Sequence, residues 1–560
     1  MNTVAERRRK ARRVLNTCLL SSVALYAGPA AAAATCASLT SLSLPNTTIT
    51  LAQSYTAGQT VSGSTVAPAG LCRVAGTVKP SSGSNIHFEV WIPTDGSWNG
   101  KYEQLGNGGF AGSISLSNIA NQVSRGYAAA ATDDGTSGPP SGAPSFIGKP
   151  DVLIDYGYRA LKVTTDDAKA IVAALMGQSP RYSYFNGCSD GGREALQEAQ
   201  RFPDDFDGII VGSPTNDFVG EFGASYHWDM EATLNGPQTG GVPDAYIPAS
   251  LLGVLSSKAL AKCVGRDGGV PTDAFLNDPR ACHFDPKVAE CDKGQDPTTC
   301  LTPAQVEAAK KIYRGAHSAH GELLFPGYEP GGESATGDWS AWITGTSPTS
   351  PGAQNTLGVG FSCDLVLGVT SCAYLGIDID QEFATATKTI GPTVSAVNPN
   401  LRPFEHRGGK LIQYAGWADT AIAPENGLNY YRKVTKEMGD VHHFYRVFMA
   451  PGMAHCSGGA GPNAFGNGTS NGPVIDADHD LVKALERWVE QGVAPDKIIA
   501  THYVNNVPAQ GVAFQRPLCP YPQRGVYIGT GDTSQASSFK CVEHEDESDP
   551  RNRGVQAAYK

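Results

Sequence analysis

Along the first 215 residues, short apolar runs alternate with longer amphipathic ones. His87-Phe88-Glu89-Val90-Trp91-Ile92 has a period of two, a strand signal. Tyr102 to Leu105 is a second short strand, ended by Gly106-Asn107-Gly108-Gly109. Gly126 to Thr132 is a strand of small residues suited to burial, stopped by Asp133-Asp134-Gly135. A helical period runs from about Tyr156 to Met176. Tyr182 to Asn186 reads as a buried strand, Arg193 to Arg201 as a helix, and Gly208 to Val211 as the next strand. Residues 35 to about 85 are rich in Ser, Thr, Ala and Val with glycine turns, and read as short strands. This alternation of strands and helices predicts a mostly parallel sheet flanked by helices.

Between about Asn216 and Leu401 the rhythm breaks. Pro, Gly and Thr become common, and six cysteines fall there: Cys263, Cys282, Cys291, Cys300, Cys363 and Cys372. The stretch reads as a large insertion, stapled by local disulfides because its own core is thin. The strand pattern then returns at Lys410 to Tyr414 and Tyr445 to Met449, and Leu481 to Gln491 is an amphipathic helix. The expected organisation is a leader over 1–34, a first core segment over 35–215, an inserted lid over 216–400, a second core segment over 401–542, and a frayed polar tail over 543–560.

The leader follows from its charge and apolarity. Arg7, Arg8, Arg9, Lys10, Arg12 and Arg13 precede an apolar, small-residue run that ends in Ala30 to Ala34, as in a cleaved export signal. Gly28-Pro29 interrupts that run, which argues against a retained membrane anchor, and no other stretch approaches the length of a span. The paired arginines leave the export route open. Of 13 cysteines, Cys18 lies in the leader, so an even dozen remain for a secreted or periplasmic protein. No CxxC pair and no HExxH motif occurs, which disfavours the common zinc sites. The formal charge of −11 argues against a nucleic-acid partner. The sequence sets no oligomeric state.

Gly187-Cys188-Ser189-Asp190-Gly191 matches G-x-S-x-G. With 65 glycines in the chain the pattern is weak, and Gly468-Thr469-Ser470-Asn471-Gly472 matches it too. Context separates the two. A nucleophile of an α/β-hydrolase needs a strand before it and a helix after it, so that the serine stands on a tight, exposed turn. Ser189 has both, and Ser470 lies in a Gly/Asn-rich loop. The serine needs a histidine as base, and the histidine a carboxylate that orients it. His455 follows a strand, sits in a glycine-rich loop and precedes Cys456, as Cys188 precedes Ser189. A Cys188–Cys456 bond would hold the nucleophile turn against the histidine loop. Asp419 follows the Lys410 strand and precedes His455, the chain order this superfamily uses. Glu425 and Asp440 are alternatives. For the oxyanion hole, the N–H of Asp190 is one donor, and Gly106 is the expected second, with Gly108 next.

With these residues in place, the chain resembles the tannase and feruloyl esterase family. The resemblance rests on the CS-D-HC motif of Cys188-Ser189, Asp419 and His455-Cys456. Its flanks match too: Gly187 to Arg193, Tyr414 to Asp419, Pro451 to Cys456, and Cys519-Pro520-Tyr521-Pro522. It covers nearly the whole chain after the leader. It implies an α/β-hydrolase core with a lid inserted between the serine and aspartate segments. It also implies the disulfides Cys36–Cys72, Cys188–Cys456, Cys263–Cys282, Cys291–Cys300 and Cys519–Cys541, which leaves Cys363 to pair with Cys372.

The resemblance implies an ester of an aromatic acid as substrate, of the gallate or hydroxycinnamate type. A hydrolase of mono(2-hydroxyethyl) terephthalate shares the family, so a terephthalate monoester is an alternative. Trp228, Trp339, Trp342 and Phe361 lie in the lid, where they serve either ring stacking or lid packing. Family members often bind one calcium ion in the lid, after a Cys-Asp pair. Here Val264 takes the place of that Asp, and the remaining ligands would be Asp267, Asp273 and the carbonyls of Gly269 and Phe275. The chemistry itself requires no cofactor. Competing readings are a non-catalytic secreted binding protein on a hydrolase scaffold, and a peptidase or lipase. A lipase lid would be more apolar than this one.

Overall fold

The computed structural model describes residues 34–139, 142–335, 337–468 and 471–543. The leader up to residue 33, the tail from 544, and Ser470 of the second G-x-S-x-G match lie outside the described residues.

Nine strands form one sheet: β1 (Thr47–Tyr55), β2 (Leu71–Val78), β3 (Ile86–Pro93), β4 (Lys101–Leu105), β5 (Ala128–Thr132), β6 (Tyr182–Cys188), β7 (Gly208–Gly212), β8 (Lys410–Gly416) and β9 (Tyr445–Ala450). Their spatial order is β1-β2-β3-β5-β4-β6-β7-β8-β9. The six from β5 to β9 run parallel. The first three add antiparallel at one edge. Parallel strands are buried on both faces, and β4, β5 and β7 are buried at every position. On one face Val90, Ile171, Leu196 and Phe404 pack together. On the other, Ile210, Ile412, Leu485 and Trp488 do so. This is the architecture of an α/β-hydrolase.

Helices α1 (Leu116–Ser124), α2 (Ala160–Met176) and α3 (Asp190–Arg201) flank the first core segment. The helical period expected from Tyr156 begins earlier, with a short helix at Pro150–Ile154 and a wide turn at Asp155–Arg159 before α2. The helix expected from Arg193 starts at Asp190, because the turn at Ser189 feeds straight into it.

The chain leaves the sheet after β7 and re-enters it at β8, and the segment between contains the lid. Its main helices are α4 (Tyr226–Leu234), α5 (Ala249–Cys263) and α6 (Pro303–Arg314). Thr302 opens α6 with a capping box to Gln305. The expectation of a thin lid core is overturned: Leu251, Leu255, Val306, Ile312, Phe325 and Trp339 close an apolar cluster of their own. Helices α7 (Pro424–Met438) and α8 (Leu481–Gln491) complete the core. Six disulfides join Cys36–Cys72, Cys188–Cys456, Cys263–Cys282, Cys291–Cys300, Cys363–Cys372 and Cys519–Cys541, the same pairs named above. Among the described residues, no helix is long and apolar enough to cross a membrane.

Candidate active site

Ser189 stands between β6 and α3 at φ 67° and ψ −123°, a strained backbone for a residue with a side chain. The turn exists because its neighbours lack side chains. A Cβ at Gly187 would lie 2.3 Å from the Gly191 carbonyl, and one at Gly192 2.3 Å from the Gly212 carbonyl. The Ser189 N–H donates to Gly212 O at 3.0 Å, and its carbonyl accepts from Gly192, Arg193 and Thr215. The serine is thus fixed by its main chain, and its side chain stays partly exposed.

Asp419 lies three residues beyond β8 and is buried. Its Oδ1 accepts the N–H groups of Ala421 and Ile422, each at 2.9 Å. Its Oδ2 lies 2.9 Å from His455 Nδ1. A carboxylate only accepts here, so Nδ1–H donates and Nε2 is left as the basic nitrogen. The alternatives are engaged elsewhere: Glu425 pairs with Arg432, and Asp440 with His442. Two further buried carboxyls surround Asp419. Burial pushes Asp338 up to about 9, with the Asp419 charge adding to it. Burial likewise holds Glu221 well above the ordinary range.

The Cys188–Cys456 disulfide, with Cα atoms 6.0 Å apart, ties the serine turn to the histidine loop. The ring centres of Trp342 and His455 lie 5.2 Å apart at 78°, a T-shaped contact between the lid and the His455 loop. The other lid aromatics serve packing or lie elsewhere. Trp339 and Phe361 are fully buried in apolar clusters, and Trp228 bonds to the Lys311 carbonyl of α6.

The oxyanion donors need a correction. The Gly106 N–H donates to Asn186 O at 3.0 Å as part of the β4–β6 pairing, so it is not available to a substrate. Glycine is required there for another reason: a Cβ would lie 2.6 Å from the Gly191 Cα. The N–H groups of Gly108 and Asp190 find no acceptor among the described residues. Gly108 faces open space and lines a cavity of about 360 Å³ beside the disulfide, together with Asn107, Asn118, Gln122, Cys188 and Cys456.

Behind Ser189 lies a charged group that the sequence reading left unassigned. Asp190 Oδ1 accepts from Arg193 Nε at 2.6 Å and from the Tyr156 hydroxyl at 2.8 Å, and all three residues are fully buried. The Arg193 guanidinium also lies 4.5 Å from the Tyr156 ring centre. The signal available in the sequence was the polar start Asp190-Gly191-Gly192-Arg193-Glu194 on a helix that must pack behind the nucleophile.

The expected calcium ligands do not fit a cation. Asp267 Oδ1 accepts from Gly269 N at 3.1 Å, and its Oδ2 from Asn277 N at 2.5 Å. Asp273 Oδ2 accepts from Val270 N at 2.9 Å, and its Oδ1 pairs with Arg516 at 2.9 Å. Two carboxylates already engaged by protein donors, with a guanidinium on one of them, are a poor match for an ion that wants six to eight oxygens.

The family model described as "Tannase and feruloyl esterase" matches residues 72–542. An uncharacterized esterase of Xanthomonas campestris pv. campestris is 37% identical, over 96% of this chain and 96% of that protein. A probable feruloyl esterase B-2 of Neosartorya fischeri is 29% identical, over 90% of each. The crystal structure of feruloyl esterase B from Aspergillus oryzae superposes with a TM-score of 0.82 at 28% identity, covering 90% of this chain and 99% of that one.

Proposed function

The chain belongs to the tannase and feruloyl esterase family and is a carboxylic ester hydrolase, and from this premise we propose that it is an exported serine esterase acting on esters of aromatic acids. The acid is of the hydroxycinnamate or gallate type. The carrying observation is the fixed pair of His455 and Asp419 at 2.9 Å, with Cys456 bonded to the neighbour of Ser189.

In this reading Ser189 Oγ attacks the ester carbonyl and His455 Nε2 takes its proton. Asp419 orients the ring and stabilises its charged form. The N–H groups of Asp190 and Gly108 stabilise the oxyanion. His455 returns the proton to the leaving alcohol, and an acyl-enzyme on Ser189 remains. Water, activated by the same histidine, then releases the acid. The route uses protein groups alone. Trp342 beside His455 supports an aromatic substrate, because it puts an indole next to the proposed base where a substrate ring could pair with it. Export is supported by the six disulfides and by the basic-apolar leader over 1–34.

The test is a panel of methyl ferulate, methyl gallate, mono(2-hydroxyethyl) terephthalate, a long-chain nitrophenyl ester and a peptide. The reading expects kcat/KM to be highest on an aromatic ester and turnover to vanish in Ser189→Ala. Preference for the long-chain ester or the peptide would overturn the substrate class. No turnover of any ester would favour a binding protein.

A further inference from the structure

Asp134 follows β5 with φ at 56° and is fully buried. No N–H or O–H donor reaches either of its carboxyl oxygens. Its neighbours are acids. Oxygens of Asp134, Asp190 and Glu194 lie within 4.8 Å of one another, and all three residues are fully buried. With Asp190 paired to Arg193, Asp134 and Glu194 cannot both stay charged this close together in a buried site, so one of them keeps a proton.

Glu194 has a second task. Its Oε2 accepts the Asn107 N–H at 3.0 Å and its Oε1 the Asn107 side-chain amide at 3.3 Å. The Asn107 carbonyl in turn accepts from Gly191 N at 2.8 Å. Asn107 is therefore clamped to the start of α3 from both sides of its peptide, and the next residue is Gly108.

We propose that Asp134 and Glu194 share one proton, and that this pair is a positioning unit that aims the Gly108 N–H at the oxyanion. The inference rests on the esterase reading above. With the proton in place, the group holds Glu194 in position to grip Asn107. Without it, two charges face each other beside Asp190 in a fully buried site. The charged and titratable groups around the pair are Asp190 and Arg193 on the first turn of α3, Tyr156, Glu198 one turn on, and Asp133 with its partner His87. Arg193 is bonded to Asp190 through Nε and Nη2, so its charge offsets the two further acids only in part.

The titration agrees with this geometry. Burial holds Asp134 well above the carboxylate range, and burial with the Asp190 charge pushes Glu194 up to about 7. The native state thus binds a proton that an unfolded carboxyl releases near pH 4. Its contribution to stability is present at low pH and is lost as pH rises through the native titration.

The experiment compares pH profiles of kcat and KM for the wild type, Asp134→Asn and Glu194→Gln on one aromatic methyl ester. The Asn amide donates to Glu194 at every pH, so Asp134→Asn should keep kcat within about threefold at pH 6. It should also abolish the alkaline fall in kcat that the proposal predicts for the wild type above about pH 7. Glu194→Gln, which weakens the grip on Asn107, should lower kcat more than tenfold and change KM less than threefold. Infrared spectra of the wild type should show a protonated carboxyl band that titrates with the alkaline limb and is missing in Asp134→Asn. That band answers the question even if Glu194→Gln fails to fold. Superimposable wild-type and Asp134→Asn profiles, or the absence of the band, would overturn the proposal. An active Ser189→Ala enzyme would instead sink the esterase reading on which it rests.

Discussion

Cys188 and Cys456 are joined across 268 residues of sequence, and each is the immediate neighbour of a residue of the proposed triad. The bridge spans the gap between a turn fixed by glycine packing and a loop fixed by Asp419. Closing a loop of that length is worth at most about 5 kcal/mol in the chain-entropy picture. Its greater consequence is positional, because small misplacements of reacting groups cost about 10²-fold in rate. The paired replacement Cys188→Ser with Cys456→Ser should therefore lower kcat about a hundredfold. Its loss of stability in urea unfolding should be no more than about 5 kcal/mol. Full kcat in that variant would show that the bridge does not hold the site.

Arg193 and Asp190 form an ion pair with both side chains essentially unexposed, 0% and 1%. Breaking such a pair leaves a bare buried charge, at a cost of about 3–5 kcal/mol. Arg193→Met should lose that much stability in urea unfolding. Adding Asp190→Asn should restore part of it, since the uncompensated charge is then gone. A double variant no more stable than Arg193→Met alone would contradict this account.

Trp342 of the lid forms a T-shaped pair with His455, close enough to the proposed base to meet a substrate ring as well. An aromatic contact of this kind is worth about 0.5–1.5 kcal/mol beyond its buried area. Trp342→Ala should raise KM for an aromatic ester roughly 2- to 10-fold, by the same energy, and leave KM for an aliphatic ester of similar size nearly unchanged. Equal effects on both esters would assign the tryptophan to lid packing.

The lid loop around Asp267 and Asp273 is closed by backbone donors and Arg516. Removal of divalent ions with EDTA should then leave the thermal midpoint unchanged to within about 1 °C, well below the shift of a 1 kcal/mol change in a domain-sized unit. A midpoint that drops with EDTA and returns with calcium would restore the metal site that the family resemblance implies.

Much of the sheet was legible because its strands are short, apolar and bounded by Gly or Asp. Ile86–Pro93 and Gly208–Gly212 appear within a residue or two of the pattern, and α8 spans Leu481–Gln491 as read. Helix α1 was missed because Leu116–Ser124 is mostly polar and small, and only Ile119, Gln122 and Val123 are buried. Helix α7 escaped notice because it is buried along much of its length, including polar Glu425, Asn426 and Asn429, which blurs its period. Residues 498–503 and 512–518 form an unforeseen antiparallel pair, whose partner choice is set by tertiary packing. The pairing of His455 with Asp419 and the bridge from Cys456 to Cys188 could be anticipated from local context and chain order. The oxyanion loop could not: whether a glycine admits an oxyanion or a neighbouring helix depends on what lies opposite. Opposite Gly106 lies Gly191.

The account stands on Ser189 being the nucleophile. Incubation with an aromatic organophosphonate, followed by peptide mass spectrometry, tests this most directly. The account predicts one adduct per chain on the peptide containing Ser189, loss of turnover in step with labelling, and no adduct in Ser189→Ala. Complete inactivation with the adduct on another residue, or an active enzyme in which Ser189 stays unlabelled, would contradict it.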